Sequence, residues 1–182
     1  PGAGGNIGAE ATVRSAADGY TIVMASTSLA SNPSLQKKMS FDPLKDLVSI
    51  SQCCGVPMII VVHPSLPIRS VSELIAYAKA NPGKIAYGTP GIATVPHLGA
   101  EMLQTAAGIK LNHVPYKGGP PALVDVISGQ IAYMFINTLE VLPHAKAGRL
   151  KVLTVASNKR SGVLPEIATF AESGAPKLVA ET

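Results

Sequence analysis

Apolar residues along this chain alternate between short β-branched runs and segments with helical spacing. The β-branched runs predict strands at residues 20–25, 48–54, 58–63, 84–88, 111–115, 131–136 and 150–156. Helical spacing, with glycine or proline at the ends, predicts helices at residues 6–17, 70–80, 94–107, 121–128 and 138–147. Strands that alternate with helices of this length are typical of an α/β fold with a mostly parallel sheet.

Composition narrows the functional classes. Charged residues make up 14% of the chain and the net charge is +4, Trp is absent, and aromatic residues reach only 4%. A stacking platform for nucleic acid is therefore not expected. The longest strictly apolar run, residues 58–62, is far shorter than the ~18 residues that a membrane span requires, so we predict no transmembrane segment.

The two cysteines, Cys53 and Cys54, are adjacent in sequence. Neighbouring cysteines seldom satisfy disulfide geometry, and no other Cys or His stands at zinc-site spacing from them. We therefore predict that both are free and buried as small apolar residues in the strand at 48–54.

Loops rich in glycine and hydroxyl side chains follow several predicted strands. They span residues 26–28, 89–94, 116–119 and 137–138. In a parallel sheet, ligands bind beyond the carboxyl ends of the strands, where helix N-termini offer unpaired N–H groups to anions. The same residue types also serve as ordinary helix N-caps, so the pattern is compatible with an anion-binding pocket or with capping alone.

Catalytic and cofactor motifs are weak. Ile7 occupies the third glycine position of a dinucleotide fingerprint, and neither a phosphate-binding loop nor a G-x-S-x-G motif occurs. His97 and Glu101 stand four residues apart, which supplies only two of the ligands that a metal needs. We predict no metal and no cofactor. The best reactive candidates for an enzyme are Lys117 and His97, although Lys117 also fits an exposed turn and His97 a packed helix start.

Several motifs together resemble the periplasmic substrate-binding proteins of tripartite tricarboxylate transporters, the Bug or TctC-like family. They are PGAGGNIGA at residues 1–9, DGYT at 18–21, NPSL at 32–35, VVHPS at 61–65, HL at 97–98, HVPYKG at 113–118, LPHAKAGRL at 142–150, and the KRS, LPE and AESG residues between 159 and 174. Their order and spacing extend across nearly the whole chain.

The resemblance implies a periplasmic-binding-protein type II-like fold, a Venus flytrap of two α/β lobes. Residues 64–156 would form the second lobe with crossover strands, and residues 1–63 and 157–182 would be parts of the first. Family members normally carry an export signal and a further strand in front, and a stretch beyond the last residue here. We therefore expect the first lobe to be incomplete at both ends in this chain.

The resemblance also implies a function. The chain would be a non-enzymatic periplasmic receptor that closes on a small carboxylate and delivers it to a membrane permease. The ligand would meet Ser26, Thr27 and Ser28 from the first lobe, and Thr89, Gly91, Thr94, Asn137 and Thr138 from the second. Two alternatives stay open: a small α/β enzyme acting on an anionic metabolite, and an inactive fragment.

Two departures from the family pattern bear on specificity. The second-lobe loop, often Ser-Gly-Asn-Gly-Thr in relatives, here has Ile92 and Ala93 in a Pro-Gly-Ile-Ala-Thr run. Ile136 stands where many relatives have Asp. Because an apolar side chain cannot pair with a cation, we predict a pocket that accepts an anion or an apolar ligand body and binds protonated amines poorly.

Overall fold

The computed structural model describes residues 3–36, 38–173 and 179–180, and a five-stranded sheet forms the centre of this described part. Residues 1–2, 37, 174–178 and 181–182, which include pieces of the predicted segments 1–63 and 157–182, lie outside it. The strands, in chain order, are β1 (Met58–Val62), β2 (Ala86–Thr89), β3 (Asn112–Pro115), β4 (Tyr133–Asn137) and β5 (Lys151–Val155). Their order across the sheet is β3-β2-β4-β1-β5.

The sheet is mixed rather than mostly parallel. Strand β2 pairs in parallel with β3 and β4, whereas β1 pairs antiparallel with both β4 and β5. Four of the described strands therefore run in one direction, and β1 lies among them in the opposite direction. Apolar periodicity specifies which residues are buried but not the direction in which a strand enters the sheet, so the sequence could not reveal this reversal.

Helices cover both faces of the sheet. They are α1 (Asn6–Val13), which follows a short 3-10 turn at Ala3–Gly5, α2 (Ser28–Leu35), α3 (Val71–Ala80), α4 (Val95–Ala107), α5 (Gly119–Ile127) and α6 (Thr138–Lys146). Apolar residues of α3 and α4 share a core with Ile60 and Phe135, and those of α5 and α6 share a second core with Ile59 and Ile136. Alternate residues of β1 and β4 thus enter opposite cores, and helices pack on both faces of the sheet, which agrees with the α/β class predicted from the sequence.

Helix α3 begins as its capping residues predict. The Ser70 hydroxyl accepts a hydrogen bond from the Glu73 N–H at 3.2 Å. The Glu73 carboxylate in turn accepts one from the N–H of Arg69 at 2.7 Å, one residue earlier than in the standard capping box. One of the donors left unpaired at the start of a helix is satisfied in this way, and the N–H of the residue before the cap is paired as well.

Two predicted strands are wrong. Residues 20–25 and 48–54 form no ladder with any described segment, and their large side chains face solvent, with Tyr20 94% and Ile50 82% exposed. Cys53 and Cys54 are consequently free, as expected, but exposed and outside any strand, which corrects their predicted burial. A strand exists only by pairing with a neighbour, so apolar alternation without a partner leaves an extended, solvated chain.

The predicted division into lobes stays a prediction. Strand β1 lies in the same sheet as β2 to β5, although the predicted boundary assigns residues up to 63 to the first lobe. Helix α1 ends at Val13, four residues before its predicted end. Among the helices of the described residues, none combines the length and apolarity that crossing a bilayer requires.

Candidate functional site

A cavity of about 390 Å³ lies where the N-termini of five helices in the described part of the chain come together. The first residues or caps of α1, α2, α4, α5 and α6 all line it. The lining residues are Gly4, Gly5, Ala9, Val23, Met24, Ala25, Ser26, Ser28, Leu29, Met58, Pro90, Thr94, Val95, Pro96, Gly118, Asn137 and Glu140. Each helix start carries N–H groups without intrahelical partners and a partial positive charge, so the cavity favours an anionic group.

Glycines at two of these helix starts bring the backbone to the cavity wall. Gly5, the N-cap of α1, has φ 92°, and Gly118, the N-cap of α5, has φ 114°. These left-handed backbone conformations are strained for any residue with a β-carbon. The glycines therefore permit the turns that aim α1 and α5 at the cavity, and they leave backbone groups uncovered by side chains.

Four of the predicted site residues line the cavity: Ser26, Ser28, Thr94 and Asn137. Asn137 caps α6 through its side-chain oxygen, which accepts the Leu139 N–H at 3.1 Å, so its amide NH₂ group is left to donate elsewhere. No described residue exchanges a hydrogen bond with the buried Ser28 hydroxyl. Both side chains thus keep a donor for a ligand.

The other four predicted residues, Thr27, Thr89, Gly91 and Thr138, do not line the cavity. Their polar groups are directed elsewhere. The Thr138 hydroxyl donates to the Pro57 carbonyl at 2.6 Å, and the Thr89 hydroxyl lies 3.2 Å from the Gly91 carbonyl, its hydrogen-bond acceptor. Thr89 and Thr138 stand at strand ends, as the expected pocket requires, but these hydrogen bonds direct their hydroxyls to backbone carbonyls.

The sequence reasoning missed most of the apolar wall and Glu140. Gly4 and Gly5 carried a signal, because a glycine turn leading into a helix typically exposes backbone N–H groups. Met58 and Pro90 carried none, since an apolar strand residue and a loop proline are ordinary core and turn residues. Glu140 resembled a helix first-turn acid that stabilises the macrodipole.

Glu140 gives the cavity a carboxylate. It lies in the first turn of α6, and its carboxylate packs against Gly119, the first residue of α5, with the carboxylate carbon 3.2 Å from where a β-carbon of residue 119 would stand. Removal of water from this group raises the pKa of Glu140 above its ordinary value.

Ile136 does not reach the cavity. Its side chain is fully buried in the second core, beside Ile59 and Val141. Ile136 points into this core and makes no part of the described cavity wall, so the structure gives no support to its expected effect on ligand selection, which stays a prediction. The ionisable side chain that the described cavity wall does carry comes from Glu140, four residues later.

A stack of rings supports the loop between β2 and α4 from behind. His97 stacks on His113 at 4.3 Å between ring centroids, and His113 stacks on Tyr87 at 4.9 Å. The His97 Nδ1 atom accepts a hydrogen bond from Ala93 N–H at 3.3 Å, and His113 Nε2 lies 2.6 Å from the Thr89 hydroxyl. Burial, assisted by His97, lowers the pKa of His113. The cluster therefore positions the loop that carries Thr94.

The candidate reactive groups lie away from the cavity. Neither His97 nor Lys117 lines it; His97 packs at the start of α4, and Lys117 is exposed in a turn. Within residues 3–36, 38–173 and 179–180, no group of three or more His, Cys, Asp or Glu side chains is arranged to hold a metal ion. The cavity thus presents donors and one carboxylate, without an adjacent nucleophile of the kind that the enzyme alternative invoked.

Comparison with known proteins places this arrangement in a family. Residues 1–182 match the sequence model of the tripartite tricarboxylate transporter family receptor. Protein BugT of Bordetella pertussis is 41% identical over 98% of this chain and 56% of its own length. The periplasmic binding protein BugD superimposes with a TM-score of 0.92 at 33% identity, covering 99% of this chain and 60% of that one.

A structure of an R. palustris protein with adipate superimposes with a TM-score of 0.93 at 32% identity, covering 97% of this chain and 60% of that one. Such similarity over nearly every residue identifies the fold as that of a periplasmic binding protein. The chain spans little more than half the length of the curated relatives that it matches.

Proposed function

This chain belongs to the tripartite tricarboxylate transporter receptor family, and we propose that it forms part of a periplasmic solute receptor that binds a small carboxylate without transforming it. The main observation in support of this proposal is that the N-termini of five helices converge on one cavity. The adipate bound to the R. palustris relative supports the same ligand class.

Backbone and neutral side-chain donors would hold the carboxylate. Among the described residues, the cavity wall includes no Lys or Arg, so the negative charge would be balanced by helix N-termini rather than by a full positive charge. The start of α1 and Thr94 are close together, since a β-carbon at Gly4 would stand 3.8 Å from the Thr94 methyl group. We assign the ligand carboxylate to this end, where backbone N–H groups and the Ser28 hydroxyl would donate to it. The Thr94 hydroxyl already donates to the Gly91 carbonyl at 2.7 Å.

Transport would follow from closure of the receptor around its ligand. In the proposed division, residues 1–63 and 157–182 belong to one lobe and residues 64–156 to the other, and a ligand that contacts both lobes favours the closed state by population shift. Ser26 and Ser28 would contact the ligand from the first lobe, and Thr94 and Asn137 from the second. A membrane permease would recognise the closed receptor.

Calorimetric titration of the full-length receptor with propionate, glutarate, adipate and citrate tests the proposal. We expect at least one of them to bind and to be recovered unchanged by mass spectrometry. Ser28→Ala should weaken that binding about tenfold, because a hydrogen bond to a charged group contributes roughly 1.5 kcal/mol. Ser34→Ala, an exposed position on the same helix, should leave affinity unchanged.

Three results would contradict the proposal: no binding of any of these acids, conversion of the bound acid into a product, or equal affinities for the two serine variants. Conversion would favour the enzyme alternative instead.

A further inference from the structure

We infer that Glu140 selects among carboxylate ligands by accepting a hydrogen bond from a neutral or cationic donor group at the far end of the ligand and by disfavouring a second ionised carboxylate there. This selectivity rests on the proposed function, because it presumes that one carboxylate of the ligand is already held in the cavity.

The position of Glu140 supports such a role. Glu140 lines the cavity from the start of α6, together with Asn137 and with Gly118 at the start of α5. The carboxylate site assigned above lies instead at the starts of α1 and α4, near Gly4 and Thr94. Different helices contribute to the two groups of residues, so an elongated ligand can meet both.

Within the described part of the chain, the Glu140 carboxylate has no partner of its own. No described residue donates a hydrogen bond to it or forms an ion pair with it. Loss of solvation is the cause of its raised pKa, without an opposing contribution from a neighbouring donor or cation. A ligand N–H or O–H would provide the donor that water supplies elsewhere, in a charge-assisted hydrogen bond.

Gly119 makes room for this carboxylate. A β-carbon at residue 119 would collide with the Glu140 Oε2 atom, so the absence of a side chain there allows the acid to lie against the start of α5. Gly119 has no left-handed backbone angle that would by itself require glycine. The space left by Gly119 therefore lets the Glu140 carboxylate lie beside the start of α5 at the cavity wall.

Like charges explain the selectivity. A second ligand carboxylate placed beside ionised Glu140 would be repelled, because two like charges at short range disfavour each other. An amide of the same shape replaces one carboxylate oxygen by an NH₂ donor and converts repulsion into attraction. The preferred class is therefore a carboxylate whose other end carries an amide, hydroxyl or ammonium group. This preference is the opposite of the one predicted from Ile136, which was that protonated amines bind poorly.

Matched ligands test this directly. Glutarate and adipate, each paired with its monoamide, would be titrated calorimetrically into the full-length receptor at pH 7.5. We expect the monoamide of at least one pair to bind tenfold or more tightly than its diacid. In Glu140→Gln, whose amide can donate to a carboxylate, the preference should disappear or reverse. Glu166→Gln removes the same charge at an exposed position outside the cavity and should keep it.

The outcomes separate the two proposals. Diacids that bind the unaltered receptor as tightly as their monoamides overturn the role of Glu140 while leaving carboxylate binding intact, and this comparison needs no variant. A monoamide preference that persists in a folded Glu140→Gln protein also overturns it. Failure of all four acids to bind contradicts the proposed function and this selectivity with it.

Discussion

Ile60 and Ile50 stand ten residues apart in two segments that were both predicted to be strands, yet their environments are opposite. Ile60 lies in β1 and is 0% exposed, whereas Ile50 lies in an extended segment and is 82% exposed. The same contrast separates two regions of the molecule. The sheet region, residues 58–155, buries every residue of β1, and the leading region, residues 6–57, leaves most of its large apolar side chains in solvent.

The difference shows that an apolar, β-branched pattern is not sufficient for a buried strand. Strand β1 is buried because β4 and β5 hydrogen-bond to its two edges and helices cover its two faces. Residues 48–54 alternate apolar and polar side chains as a strand would, but they have no described ladder partner. Strand formation is therefore a property of the assembled sheet, and the sequence signal marks only the capacity for it.

Truncating the two isoleucines should give the largest effect and tests the contrast between the two regions most directly. Ile60→Ala should lower the free energy of unfolding of the 182-residue chain by roughly 2–5 kcal/mol, because it removes buried methyl groups and leaves a cavity. Ile50→Ala should change it by less than about 0.5 kcal/mol, since the side chain is already solvated. Urea denaturation followed by circular dichroism measures both. Similar losses for the two variants would show that residues 48–54 are packed.

Two glycine-to-alanine substitutions, one in a helix of each region, should change the free energy of unfolding in opposite directions. Gly99→Ala in α4 should destabilise the protein by roughly 1–3 kcal/mol, because the new β-carbon would stand 2.7 Å from the Phe135 ring. Gly8→Ala in α1 meets nothing within 4 Å and should stabilise by about 0.5–1 kcal/mol through helix propensity. Differential scanning calorimetry distinguishes the two. A stabilising Gly99→Ala would mean that α4 and β4 pack more loosely than described.

The smallest expected changes in stability come from removing side chains at helix N-caps. Ser70→Ala should cost about 1 kcal/mol, because the Ser70 side chain caps α3 in the sheet region. Thr27→Ala should cost less than about 0.5 kcal/mol, because Thr27 makes no side-chain cap bond to α2 in the leading region. Amide hydrogen exchange at Glu73 should accelerate in the first variant only. Equal effects of the two substitutions would remove this difference between the regions.

Local signals predicted the sheet region well. Each helix and strand after residue 58 lies within a few residues of its predicted place, since apolar faces, caps and glycine stops all act over short sequence distances. The leading region was predicted less well, because its two strand-like runs depend on partners that no local signal identifies.

The candidate site shows the same limit. Ser26, Ser28, Thr94 and Asn137 line the cavity at helix starts, as loop chemistry led us to expect. The sequence could not separate them from Thr89 and Thr138, whose hydroxyls bond to Gly91 and Pro57 inside the fold. The acceptor of the Thr138 hydroxyl, Pro57, is distant in sequence, and no local pattern identifies such a partner.

The amino-acid sequence by itself determined the α/β class, the family resemblance and the positions of most helices, because these follow from patterns between near neighbours. The tertiary structure alone decided the reversed direction of β1, the exposure of Cys53 and Cys54, the burial of Ile136 and the entry of Glu140 into the cavity. Each of these depends on contacts between residues far apart in the chain. Burial and hydrogen bonding between distant segments are established only when the sheet and helices pack together. The spacing of apolar residues along the sequence does not indicate which segments will pair.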